Sequence, residues 1–116
     1  MMSDDKLRLQ SYDHGTVCTN RTTFSETCNQ ERYGALEPPE YDLSLITTPQ
    51  AILAGQLDLI AVPEDIVEQR RRLAPGVLVA EVTYIGYSHM DFVWDRHAKH
   101  MPDVVDIVSR YASGTF

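Results

Sequence analysis

Two side chains stand out as able to do chemistry together: a carboxylate, Asp58, and an imidazole, His89, each lying just beyond an apolar run. Asp58 sits in Gly55-Gln56-Leu57-Asp58-Leu59-Ile60-Ala61, and His89 in Gly86-Tyr87-Ser88-His89-Met90-Asp91. A carboxylate that accepts a hydrogen bond from one imidazole nitrogen fixes the ring's tautomer and stabilises its cationic form. The other nitrogen is then free to take a proton from a nucleophile and hand it to a leaving group. Taken alone, an Asp after a strand is more often a turn former or a helix cap. The pairing therefore depends on the elements that carry the two loops.

Residues 51–54 form a short apolar run closed by Gly55, the pattern of a strand buried on both faces of a parallel sheet. Pro63-Glu64-Asp65 opens a helix: proline is tolerated in the first turn, and acidic residues suit the positive end of the dipole. That helix carries Ile66, Val67 and Leu73 and stops at Pro75-Gly76. Residues 77–85, β-branched and apolar, predict a second strand broken by Gly86. A last helix is expected over residues 102–111, with Val104, Ile107, Val108 and Tyr111 on one face. Strand, helix, strand, helix is the order of a βαβ crossover, so the fold class is α/β with a parallel sheet. In such sheets the loops at the carboxyl ends of neighbouring strands share one edge, and Asp58 and His89 both fall there. Residues 1–40 read as a loop-rich segment ending on Glu37-Pro38-Pro39-Glu40, and residues 41–116 as the ordered core.

The chain has 116 residues, enough for one small domain, and a formal net charge of −7. Phosphate binding needs a basic stripe, so a nucleic-acid partner is not expected. The run Arg70-Arg71-Arg72 ends the first helix, where cations complement the dipole. No apolar stretch approaches the roughly 20 residues of a transmembrane helix. The opening MMSDDKLRLQ has neither the basic nor the apolar region of a signal peptide. Cys18 and Cys28 flank a polar stretch holding Asn20-Arg21-Thr22, an N-glycosylation sequon. Two readings stand: a local disulfide with a glycan at Asn20 in an oxidising compartment, or two free thiols beside a chance triplet. His97 and His100 have no third ligand at matching spacing, so no metal site is expected.

The segment Ser88-His89-Met90-Asp91-Phe92-Val93-Trp94 resembles the His-x-Asp-Phe-x-Trp signature around the catalytic histidine of the acid lipase family (gastric/lysosomal acid lipase-like) of the α/β-hydrolases. Residues 58–66 resemble the stretch that begins at that family's catalytic aspartate. Upstream, Tyr12-Asp13-His14-Gly15, Tyr33-Gly34 and residues 38–43 resemble the approach to those strands, in the same order. The resemblance covers residues 12–94 and implies the C-terminal part of an α/β-hydrolase fold. It makes Asp58 the acid and His89 the general base of a Ser–Asp–His triad. It further implies a neutral lipid ester as substrate, such as a triacylglycerol or cholesteryl ester, no metal or organic cofactor, and a secreted or lysosomal setting.

The Gly-x-Ser-x-Gly elbow and its oxyanion hole do not occur in this sequence. The upstream remainder of the hydrolase fold is therefore an expected partner, and residues 1–40 are expected to join the core to it. Gly55 is followed by Gln56-Leu57 where the family commonly has a glycine pair, which implies a looser turn before Asp58. Val62 stands where an acidic residue is usual, which removes a helix cap. Phe92 and Trp94 are expected in the core, holding the histidine loop. Asp91 is expected to cap or anchor the turn that follows it, and Asp65 to face the positive end of its helix. A second reading is a non-catalytic hydrolase-like protein that binds lipid or a partner.

Overall fold

The structure, a computed structural model, describes residues 8–18 and 28–116. The chain forms two compact units, Met1–Asp42 and Leu43–Phe116.

The first unit is organised by a buried amide rather than by apolar packing. Asn29, 1% exposed, opens helix α1 (Asn29–Tyr33) directly after Cys28. Its side-chain oxygen accepts from the His14 amide at 2.8 Å, and its NH2 group donates to Asp13 Oδ1 and to the Leu36 carbonyl, each at 2.8 Å. Its own amide donates to the Gly15 carbonyl at 2.9 Å. A buried amide with its bonding capacity used in this way fixes a loop geometry that apolar contacts alone do not specify. An antiparallel bridge between Gln10 and Glu40 closes the unit, and a disulfide joins Cys18 to Cys28. The sequon Asn20-Arg21-Thr22 lies outside the described residues.

The second unit is built on two parallel strands, β1 (Gln50–Gly55) and β2 (Leu78–Tyr84), connected through helix α2 (Pro63–Arg72). Gln50 pairs with Leu78 and Ala51 with Ala80, so Val79 is an extra residue in β2; the ladder then runs in register to Gly55 opposite Tyr84. The two strands thus end level. Helix α2 starts at Pro63 after an uncapped Val62, and ends when Leu73 turns extended two residues before Pro75. In its last turn, Arg71 Nε and Nη2 and Arg72 Nε all donate to the Glu68 carboxylate at 2.7–2.8 Å. Arg70 reaches Glu81 on β2 at 3.0 Å. Beyond β2 come the single turn α3 (Asp91–Trp94) and helix α4 (Met101–Ser113), ended by Gly114 at φ 69°.

Several expectations need correction. The first strand is not buried on both faces: Ile52 is buried, but Ala51 is exposed and Leu53 and Ala54 are half-buried. A two-stranded sheet gives each strand one neighbour only, and little lies over its faces. In α4, Val104 and Ile107 are half-buried, but Val108 and Tyr111 stand exposed although all four share a face. Trp94 is 73% exposed rather than in the core. Within a helical turn, residues two apart point to nearly opposite sides, so turning Phe92 inward turns Trp94 outward.

Gly55 is what lets the strand ends approach. A Cβ at this position would stand 2.6 Å from the Tyr87 carbonyl oxygen and 3.1 Å from its carbon. Both atoms are backbone, so a methyl group here displaces a loop rather than rotating a side chain. Gly55→Ala is expected to cost about 1–3 kcal/mol of stability, as overpacking does, read from denaturant unfolding of the two proteins. Equal stability would show that the approach is not needed.

The Glu68 carboxyl is held down to about 2, by hydrogen bonds from Arg71 first and then from Arg72. A folded value below the ordinary 4.5 stabilises the fold at pH values above 4.5, and that contribution is lost as the pH falls through about 2. Glu68→Gln should therefore lower the melting temperature near neutrality, and the deficit should shrink steadily as melts are run at lower pH. A deficit independent of pH would contradict this origin.

Candidate active site at the carboxyl ends of the paired strands

Just past the level strand ends, three hydrogen bonds, two of them between backbone groups, bind one loop to the other. Gln56 donates to the Tyr84 carbonyl at 3.0 Å, Leu57 to the Tyr87 carbonyl at 2.8 Å, and the Gln56 side chain accepts from the Gly86 amide at 3.3 Å. The Asp58 amide donates back to the Gly55 carbonyl at 3.3 Å, closing the aspartate turn. Gln56 and Leu57 thus tie the aspartate turn to the histidine loop.

These ties bring Asp58 and His89 together. His89 Nδ1 lies 2.9 Å from Asp58 Oδ2. The aspartate is 4% exposed, whereas the imidazole side chain is 46% exposed. The other carboxylate oxygen, Oδ1, accepts from the amides of Ile60 and Ala61, each at 2.8 Å. Burial pushes the Asp58 carboxyl up, but the hydrogen bonds from His89, Ile60 and Ala61 outweigh it and hold the group below its ordinary value. An ionised Asp58 can only accept, so it favours the tautomer with the proton on Nδ1. Nε2, on the far side of the ring, is left as the basic nitrogen.

Asp91 holds the histidine turn from behind. Its Oδ2 accepts from the Ser88 amide at 2.6 Å and the Ser88 hydroxyl at 2.8 Å. It anchors the turn that precedes it, not the one that follows, because its side chain folds back over α3's own N-terminus. The amide and hydroxyl of Ser88 hold the Asp91 carboxyl below its ordinary value. Ser88 is thereby committed as a donor to Asp91. Phe92 packs edge-on against Tyr87 and Tyr84, with ring centroids 5.3 and 5.8 Å apart.

The remaining titratable residues lie elsewhere. His100 is buried edge-on against Phe92, while His97 is exposed. His14 is a half-buried part of the first unit, its ring against Tyr12 and Tyr33. Asp65 is half-buried in the first turn of α2. Among the described residues, Cys18, Cys28 and Glu31 come close enough to hold a metal ion, but both sulfurs are joined in the disulfide. No helix among them is long and apolar enough to cross a membrane. Tyr87 and Asn29 were not singled out in the sequence, and Gln56 read there only as a looser turn. Only Tyr87 carried a signal, as an aromatic two residues before the imidazole.

No protein-family model matches the sequence. Gastric triacylglycerol lipase of Rattus norvegicus is 34% identical over 74 residues, covering 64% of this chain and 18% of the lipase. Lipase lipl-1 of Caenorhabditis elegans is 29% identical over 103 residues, covering 86% of the chain and 25% of that protein. Lipase lipl-3 of the same organism is 32% identical over 111 residues, covering 91% of the chain and 27% of that protein. The chain spans between 18% and 27% of the length of these relatives. Together with a parallel strand pair flanked by helices, these matches to several lipases support a gastric and acid lipase-like family, related to the α/β-hydrolases, for this chain.

Proposed function

We propose that Asp58 and His89 are the acid and the general base of a Ser–Asp–His triad that hydrolyses carboxylic esters of neutral lipids, triacylglycerols or cholesteryl esters. The nucleophilic serine and the oxyanion hole come from the upstream remainder of the hydrolase fold, to which residues 1–40 connect the core formed by residues 41–116. The observation that carries this reading is the 2.9 Å bond from a half-exposed imidazole to a buried carboxylate. Asp58 keeps the Nδ1 proton in place, so Nε2 faces outward as a base. It takes the serine proton as the hydroxyl attacks the ester carbonyl. The resulting imidazolium is stabilised by Asp58 and then protonates the departing alkoxide. Water repeats the cycle on the acyl-serine and releases the fatty acid. The chemistry needs no metal or organic cofactor. The disulfide supports a secreted or lysosomal setting, where a glycan on Asn20 would also be added.

A non-catalytic lipid- or partner-binding role is the second reading. It is favoured by the exposed apolar side chains flanking the pair in sequence, Leu57, Leu59 and Ile60 on one loop and Val93 and Trp94 after the other.

The test joins this chain to an upstream lipase segment carrying a Gly-x-Ser-x-Gly elbow and measures hydrolysis of a short-chain ester. The joined protein should be active. Asp58→Asn should lower kcat by about four orders of magnitude, and His89→Ala by at least as much. Full activity in His89→Ala would refute the triad. Absence of hydrolysis in every form, with saturable binding to lipid vesicles, would establish the binding role instead.

A further inference from the structure

Tyr87, two residues before His89, is held from its backbone, its ring and its hydroxyl at once. It is 4% exposed. Its hydroxyl donates to Asp95 Oδ2 at 2.5 Å and accepts from the Lys99 amide at 3.0 Å. Its ring packs against Tyr84, Phe92 and His100, with centroids 5.2 to 6.0 Å away. Its amide donates to the Tyr84 carbonyl, and its carbonyl accepts from Leu57, the residue before Asp58. That same carbonyl is the atom a side chain at Gly55 would strike. Two residues further along stands His89.

The loop that grips the hydroxyl is closed by its own hydrogen bonds. Its Ala98 adopts φ 42°, a left-handed conformation that alanine holds only where its surroundings impose it. The Ala98 amide donates to the Asp95 carbonyl, the His97 amide to Asp95 Oδ1, and the Met101 amide to the Ala98 carbonyl, each at 2.9 Å. The Tyr87 hydroxyl is also the first cause holding the Asp95 carboxyl below its ordinary value, so the acceptor is charged and the bond is of the stronger, charge-assisted kind.

We infer that Tyr87 is a positioning residue for the Asp58–His89 pair: the loop of residues 95–99 fixes its hydroxyl, the buried ring carries that constraint to its backbone, and its carbonyl sets the aspartate loop against the imidazole. The inference rests on the triad reading only in giving this geometry a catalytic purpose. Tyr84 supplies the comparison. Its ring belongs to the same cluster and its hydroxyl donates to Asp103 Oδ2 at 2.6 Å. Its backbone, however, is fixed within β2 by the ladder opposite Gly55, whatever its hydroxyl does.

The experiment follows the hydrogen-exchange rate of the His89 Nδ1 proton by nuclear magnetic resonance of the full chain, labelled with 15N-histidine. The proteins compared are the unaltered chain, Tyr87→Phe, Asp95→Asn and Tyr84→Phe, each checked by its thermal melt. Tyr87→Phe should speed exchange about ten- to hundredfold, the range that one lost hydrogen bond to a charged group represents. Asp95→Asn should speed it less, and Tyr84→Phe should leave it unchanged. An unchanged rate in Tyr87→Phe, or an equal rise in Tyr84→Phe, would overturn the inference. If Tyr87→Phe does not melt cooperatively, Asp95→Asn against Tyr84→Phe decides it on the same criterion. Hydrolysis does not enter the readout, so an inactive joined protein whose Nδ1 proton still responds would sink the triad reading alone.

Discussion

One amide–carbonyl bond, from Leu57 to Tyr87 across the ends of two parallel strands, is the contact on which the site depends. Parallel pairing brings Gly55 and Tyr84 level, but strand pairing stops there, and loops beyond a sheet ordinarily diverge. Here the loops stay together for several more residues because the glycine leaves room for the Tyr87 carbonyl and Leu57 supplies the donor. The next residue on one side is Asp58, and two residues on from Tyr87 is His89. The separation of acid and imidazole is therefore set by backbone, before any side-chain attraction acts.

Asp58 resolves a choice that sequence patterns present as exclusive. A carboxylate after a strand is usually a turn former, and Oδ1 does that work through the amides of Ile60 and Ala61. Oδ2 is left for His89. The turn fixes the carboxylate's rotamer and keeps it ionised despite burial, and a fixed, ionised carboxylate is what orients an imidazole. The structural role prepares the chemical one.

The order β1, α2, β2 and the two loops beyond the strands were legible because their signals are local. Apolar runs closed by Gly55 and Gly86, proline at the start of α2 and Pro75 beyond its end act within a few residues of themselves. What was not legible depends on contacts between distant residues. Asn29 looks like any polar loop residue, and only the fold supplies its partners Asp13, His14 and Leu36. Gln56 read as a departure that would loosen the turn, because its bond to Gly86 requires the strands to be neighbours. Trp94 read, with Phe92, as a core residue holding the histidine loop, but α3 is a single turn and has only one inward side, which Phe92 takes. Periodicity placed Val108 and Tyr111 on the apolar face of α4 without saying whether anything covers that face.

The central claim is that the buried carboxylate dictates the protonation of the half-exposed imidazole. Its most direct test is the 15N spectrum of His89 above the pH at which the ring loses its charge. The account predicts a single tautomer, with the proton on Nδ1 and Nε2 bare, and loss of that preference in Asp58→Asn. A mixture of tautomers in the unaltered chain, or the same single tautomer in Asp58→Asn, would contradict it.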